Sequence, residues 1–325
     1  MDELGDKIVR IEQLICRRIC KYGKINKLAL KLIEKFSMHE SWDVRNEVAL
    51  TLAKIGSTRP DDSLKILANM SDDDPWVLET VGEAIGLIGE LNPPYALKIL
   101  EKLAKNKSFW VRQNVINSAV KIFRVDLKVA TEILKEWAGD GDKCLRETTA
   151  IILGKINVDS LEKLRILKDL VKDKYNNVRR AALDSLFRLP HFEEVEVILS
   201  LSKDHHWGIR ETVARLIART GEVDSPELIK VLKGFIYDGV GAVRKAAASS
   251  LGSLAYQRPD VYLPILKELV EDKAAVSPDV LKVMVDYLSR MGKDSMGLLI
   301  DLTSDDDLEV KESAEKAING LRVVR

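Results

Sequence analysis

The sequence predicts an all-α fold assembled from repeated helix pairs, and three observations carry that reading. One segment pattern recurs nine times, apolar residues inside each copy follow helical spacing, and no stretch alternates at period two over a useful length. Aligned on an apolar residue followed by Arg or a substitute, segments such as WDVRNEVALTLAKI, FWVRQNVINSAVKI and WGIRETVARLIART put the second of those positions at Arg45, Leu78, Arg112, Arg146, Arg179, Arg210, Arg244, Leu281 and Lys311. The intervals are 33, 34, 34, 33, 31, 34, 37 and 30 residues. A fixed period of this size marks units that cannot bury their apolar stripe alone and so stack on one another. It replaces the two domains that 325 residues would otherwise imply at ~150 residues each.

Residues 4–22 come first. Their stripe of Leu4, Ile8, Ile11, Ile15 and Ile19 makes an amphipathic helix with no partner inside a repeat. It is expected to cap the stack over residues 1–24, because terminal units must shield their neighbours from water. Residues 25–325 hold the nine units. Each opens with a first helix, as in PDDSLKILANMSD and PELIKVLKGFIYD, and Pro60, Pro94, Pro226 and Pro259 fall at such starts, where a missing N–H is tolerated. About 15 residues further on, a second helix carries apolar or small residues at offsets 0, 4, 8 and 11, for example Val178, Ala182, Leu186 and Leu189. An Asp precedes that anchoring apolar residue by five in six units: Asp72, Asp140, Asp173, Asp204, Asp238 and Asp305. It can cap the second helix or bond its turn, and stacking would bring it to the Arg of a neighbouring unit. The last unit, with Lys311 in place of Arg and the polar run ESAEKAIN, reads as the other cap. The 37-residue interval reflects an insertion near residues 273–278, the expected place for a bend.

The D-x4-[VIL]-R signature, flanked by helix pairs from about Ile25 to Leu321, resembles the HEAT-repeat family in a short form. That resemblance implies a right-handed alpha-alpha superhelix, a HEAT-like solenoid, with the second helix of each pair on its concave surface. The tetratricopeptide and ankyrin patterns, which have similar periods, are absent.

Composition excludes several function classes. Lys plus Arg (51) balances Asp plus Glu (51), so the chain is neither a polycation for nucleic acid nor an acidic solvating tail. The longest stretch without charge, Ala246–Gln257, is twelve residues, short of the ~20 that span a bilayer. The start, MDELGDKIVRIEQ, lacks an apolar signal region. Three cysteines form no closed disulfide set, which favours a reducing, cytoplasmic setting.

Catalytic chemistry leaves little trace. Of four histidines, only His39 joins a His-Glu pair, with Glu40, whereas the HEAT-like di-iron hydroxylases use several such pairs. His205 and His206 read as a solvated pair in a turn. Cys16 and Cys20 share a helix face but have no third or fourth ligand nearby and read as small buried hydrophobes. Neither a phosphate loop, a G-x-S-x-G elbow nor an HExxH motif is present. No catalytic residue, metal site or cofactor is expected.

Two periodic features remain. Trp42, Trp76 and Trp110, with Trp207, fall one or two residues before the anchor. They either close each turn as hydrophobic staples, the simpler reading, or form an exposed row for partner side chains or bases. Ten residues after the anchor stand Lys54, Lys121, Lys155, Arg188, Arg219 and Arg290, a basic column that either complements helix dipoles or meets an acidic partner. Charge is also uneven along the chain, at +7 over residues 7–35, −6 over 57–101, and six cations against no acid over 102–125.

These features point to a non-catalytic scaffold or adaptor that holds an acidic or helical protein segment on its second helices. A nucleic-acid-binding alternative rests on resemblance to HEAT-like DNA alkylpurine glycosylases. Trp110, Arg112 and Arg146 match its basic and aromatic character, but Asn114 stands where a carboxylate is wanted. Resemblance to the phycobilin-lyase branch would imply a tetrapyrrole ligand.

Overall fold

The computed structural model describes residues 3–22, 27–157, 160–189, 195–219 and 224–323. Among them every regular element is helical, and they fall into two compact units, residues 1–185 and 186–325. The first unit opens with α1 (Glu3–Tyr22) and continues as helix pairs: α2 (Lys27–Phe36) with α3 (Trp42–Ile55), α4 (Pro60–Asn69) with α5 (Pro75–Ile88), α6 (Pro93–Ala104) with α7 (Phe109–Phe123), α8 (Leu127–Ala138) with α9 (Lys143–Lys155), and α10 (Ser160–Leu170) with α11 (Asn176–Leu186). The second unit pairs α12 (Val195–Leu201) with α13 (Trp207–Ile217), α14 (Pro226–Phe235) with α15 (Gly241–Gln257), α16 (Pro259–Glu271) with α17 (Pro278–Met291), and α18 (Met296–Leu302) with α19 (Leu308–Val323). The insertion at residues 273–278 lengthens the turn between α16 and α17.

Local sequence explains the helix starts. Proline stands in the first turn of α4, α5, α6, α14, α16 and α17, where its fixed φ suits the helix and its absent N–H is not missed. Asp126 and Asp142 cap α8 and α9 by accepting from the next backbone amides. The anchor stripe is inward, with Val44, Val48, Leu52 and Ile55 buried on α3 and Val243, Ala247, Leu251 and Leu254 on α15. Within each unit the second helices form a layer: α5, α7 and α15 each pack on the first helix of their own pair and on the second helices before and after them.

The terminal helix departs from expectation in its rotation. α1 packs mainly on α3 rather than on a first helix, so it extends the second-helix layer. Its buried centre is Cys16, while Ile11 is 57% exposed, outside the stripe assigned to it. The side chain of Cys20 and the residue His191 lie outside the described set.

Adjacent turns are joined by an Arg–Asp clamp. In the turns before α9, α11, α13, α15 and α19, Asp140, Asp173, Asp204, Asp238 and Asp305 accept the amide of the residue two further on, which closes the turn. The Arg of the preceding unit then reaches forward. Arg146 donates to both oxygens of Asp173 and Arg210 to both oxygens of Asp238. With its remaining nitrogen each Arg bonds carbonyls of its own turn, Asp140 and Gly141 or Asp204 and His205. Hydrogen bonds from Arg210 hold the Asp238 carboxyl below its ordinary range despite desolvation. Burial pushes Asp173 upward, but Arg146 and the Tyr175 amide outweigh it and hold that carboxyl low as well.

Asp140 is held by Lys105 at 3.0 Å and not by Arg112, which bonds carbonyls of its own turn, and two further clamps differ from the sequence pattern. Arg45 seizes Asp73, not Asp72, because the turn ahead of Pro75 closes one residue later, with the Asp74 amide on Asp73. Asp72 is left at the surface with Lys102. Arg244 pairs with Asp279, since Ala275 occupies the usual Asp position in the lengthened turn. In the first turn His39 takes the Asp role: its Nδ1 accepts the Ser41 amide, and its Nε2 faces Glu12 of α1 at 2.9 Å. His39 therefore serves the turn and α1, not a pairing with Glu40.

Candidate partner-binding surface

One face of each second helix is closed by its neighbours. Ser118, Ser185 and Ser250 stand seven residues after their anchors and donate to the carbonyls of Gly82, Ala150 and Ala214 one unit back, at 2.7–2.8 Å. Two of the contact partners are glycines: a Cβ on Gly86 would meet Ser118 Oγ at 2.3 Å, and one on Gly154 would meet Ser185 Oγ at 2.5 Å. This serine–glycine seam is visible in the sequence as Ser at offset seven against Gly at offset nine, but apolar periodicity alone does not bring it out.

The opposite face is open to solvent. On α5 Trp76, Glu79, Glu83 and Leu87, continued by Glu90 in the turn just past its end, follow one another at intervals of three and four, a single outward stripe. On α7 the corresponding stripe is Trp110, Gln113, Asn117 and Lys121, with Arg124 just past the helix end, and on α3 it is Trp42, Asn46, Leu50 and Lys54.

The tryptophans are exposed rather than stapled: Trp42 is 49%, Trp76 70% and Trp110 63% accessible, beside Phe109 at 58%. The reason is angular. At ~100° per residue, positions one and two before an inward anchor point away from the core, and that core is already filled by aliphatic side chains. Phe109 and Trp110 meet edge to face at 5.4 Å. Trp207, also exposed, stacks on His206 at 6.0 Å, while His205 lies in solvent next to Asp204.

All six residues of the basic column are exposed: Lys54, Lys121 and Lys155 in the first unit, Arg188, Arg219 and Arg290 in the second. Arg219 lies over the Phe187 ring at 3.8 Å and Arg290 over Tyr287 at 5.4 Å. The column and the aromatic row are not brought together. Lys54 and Lys121 are 12 and 11 residues along their helices from Trp42 and Trp110, about 16–18 Å at the helical rise. The open face thus has an aromatic edge at the helix N-termini and a basic edge at the C-termini. Between them Asn114 donates its amide to the Glu79 carbonyl at 3.3 Å, so it is engaged with the neighbouring helix.

Other features are shallower. A groove of about 280 Å³ runs between α8 and α10 past Lys135, Glu162 and Arg165, and an apolar one of about 530 Å³ between α12 and α14 past Leu199, Val231 and Phe235. Another, of about 660 Å³, crosses α15, α17 and α19. Lys143, Arg146 and Lys174 surround the Tyr175 ring at 5.0–5.8 Å. No described helix is long and apolar enough to cross a membrane.

Residues 65–154 and 164–252, together more than half of the chain, match the family model for HEAT repeats. The chain belongs to the HEAT-repeat family. Among solved structures it is similar to importin beta, at 13% identity and a TM-score of 0.53 over 95% of this chain and 47% of the other. The HEAT-repeat chain thus spans about half the length of that protein, and the likeness is one of fold. It also matches the X-ray structure of YibA from Escherichia coli at 18% identity, covering 93% and 94% of the two chains with a TM-score of 0.39. No curated protein matches it. Helical repeats stacked in this way make a scaffold.

Proposed function

We propose that this HEAT-repeat chain is a non-catalytic, cytoplasmic scaffold that binds a protein partner across the open faces of its second helices. One observation carries the reading: four large aromatic rings, Trp42, Trp76, Phe109 and Trp110, stand exposed on three consecutive helix N-termini. Contiguous exposed apolar groups of this kind mark interaction surfaces, because a monomer gains nothing by keeping them wet. The clamps supply rigidity, with Arg45 fixing the turn before α5 and Arg112 bonding the carbonyls of its own turn before α7. Rings held in place before binding lose little entropy on association. Lys54, Lys121 and Lys155 in the first unit, and separately Arg188, Arg219 and Arg290 in the second, offer further contacts for acidic groups of the partner.

The test is affinity capture from a native extract treated with nuclease, comparing the wild-type chain with a Trp76→Ala/Trp110→Ala variant. A stoichiometric protein recovered by the wild type and lost by the variant, with unchanged helical content, supports the scaffold. Equal recovery by both removes the aromatic edge from the account.

A nucleic-acid reading has its own observation: none of the six column residues forms an ion pair with a described residue, so all are available to phosphates. Duplex titration decides it. No binding at ~50 mM salt eliminates it, since release of condensed counterions favours association most at low salt.

A further inference from the structure

The aromatic edge is not electrostatically neutral. Asp43, Glu79 and Glu83 sit within two turns of the rings on α3 and α5, and none of the three forms an ion pair with a described residue. Asp74, beside Trp76, is 60% exposed even while Arg45 holds it. An indole face attracts cations through its quadrupole, so rings and carboxylates on these two helices select the same kind of ligand. The nearest cation of the turn, Arg45, is occupied by Asp73 and Asp74. The lysines of the basic edge are about 16–18 Å away along the helices, roughly two Debye lengths at physiological salt, and do not cancel this potential.

The α7 end of the edge differs. There Lys107 precedes the aromatic pair and no acidic residue lies between 102 and 125. The edge-to-face pair of Phe109 and Trp110 offers apolar surface instead of a cation site. The three helices pack directly side by side, which sets them ~8–10 Å apart. A polyproline-type segment rises ~3.1 Å per residue with three residues per turn, so its every third side chain points the same way at ~9 Å intervals.

We propose that the N-terminal edge of α3, α5 and α7 docks an extended basic segment, placing two cationic side chains three residues apart on Trp42 and Trp76 and an apolar side chain three residues further on against Phe109 and Trp110. Asp43, Glu79 and Glu83 pair with the two cations. This names the partner chemistry for one edge of the surface proposed above and rests on that reading. It assigns the edge a ligand of opposite charge to the one the lysine column would take.

The probes are fluorescein-labelled nonapeptides with arginines three residues apart and a phenylalanine three residues beyond, made in both chain orders. Controls carry glutamates for the arginines, or the two arginines side by side. Fluorescence anisotropy with the full chain is expected to give binding for one order at least 10-fold tighter than either control. Removing one cation–ring contact by Trp76→Ala should weaken it about 3- to 5-fold. Glu79→Lys/Glu83→Lys should abolish the preference for arginine over glutamate. Trp76 and Glu83 are exposed and Glu79 is half-buried, so both variants should melt at the wild-type temperature, and melts run beside the binding assay separate a loss of binding from unfolding. The proposal is overturned if neither order binds, if the glutamate or clustered peptide binds as well, or if Trp76→Ala leaves affinity unchanged. Should a captured natural partner be released by Lys54→Glu/Lys121→Glu/Lys155→Glu and not by Trp76→Ala or the glutamate substitutions, the scaffold reading stands and the basic-segment inference falls alone.

Discussion

Replacing Arg210 by Met isolates what one clamp contributes. Arg210 makes four hydrogen bonds: Nε and Nη2 to the two oxygens of Asp238 at 2.7 and 2.9 Å, and Nη1 to the carbonyls of Asp204 and His205 at 2.7 and 3.1 Å. The two side chains are 17% and 10% exposed. That places the pair between an exposed ion pair, at ~0–1 kcal/mol, and a buried pair broken from one side, at ~3–5 kcal/mol, and nearer the second. Asp238 would keep only the Val240 amide, and two carbonyls would lose their donor. A loss of about 2–4 kcal/mol is expected. Urea unfolding measures it, and hydrogen exchange at the Val240 amide should show it locally, since repeat arrays need not unfold in one step. The sign with pH provides a second readout. Arg210 holds Asp238 below its ordinary range, so the clamp stabilises above the unfolded carboxyl value near ~4 and is lost as pH falls through the lower folded value. In Arg210→Met this acid-dependent part should shrink to what the Val240 amide and the more distant Arg244 still support. A loss under ~1 kcal/mol with the acid profile unchanged would refute the claim that the clamp carries structural weight.

Gly86→Ala should destabilise by about 1–3 kcal/mol through overpacking, because its methyl would fall 2.3 Å from Ser118 Oγ and 3.0 Å from Ser118 Cα; Gly234→Ala on α14 meets nothing within 4 Å and should gain about 0.5–1 kcal/mol, and thermal melts of the two variants should shift in opposite directions. Ser118→Ala, which leaves the Gly82 carbonyl without its buried donor, should cost about 1–2 kcal/mol by urea unfolding. The fully buried ring of Tyr262 has its hydroxyl pushed up to about 12 by desolvation; a raised folded value means stability intact below ~10 and lost as pH climbs through 12, so melting temperature should fall between pH 10 and 12, and fall less in Tyr262→Phe.

Periodicity made most of the fold legible. The anchor stripe, the prolines at helix starts and the Asp–Arg partnership all follow from the spacing of residue types, since each repeat must solve the same packing problem. What escaped depends on details below that spacing. Pro75 delays one turn by a residue and transfers the clamp from Asp72 to Asp73. The tryptophans look like staples as apolar residues near an anchor, yet the 100° step turns them outward. α1 has an amphipathic stripe but no repeat to give its rotation, so its buried side centres on Cys16 and not on Ile11. The lysine column was legible as a column; that it lies a full helix length from the rings requires the axis of each helix to be placed.

The histidine that stands for aspartate in the first turn changes what that turn is tied to. His39 accepts the Ser41 amide with Nδ1 and turns Nε2 toward Glu12 of α1. The later clamps join guanidinium to carboxylate through two bonds in one plane, as between Arg146 and Asp173. An imidazole spends one nitrogen on its own turn and has one left to reach across. The tie from this turn to α1 therefore works as a pin, setting a distance, where the forked clamps also set an orientation.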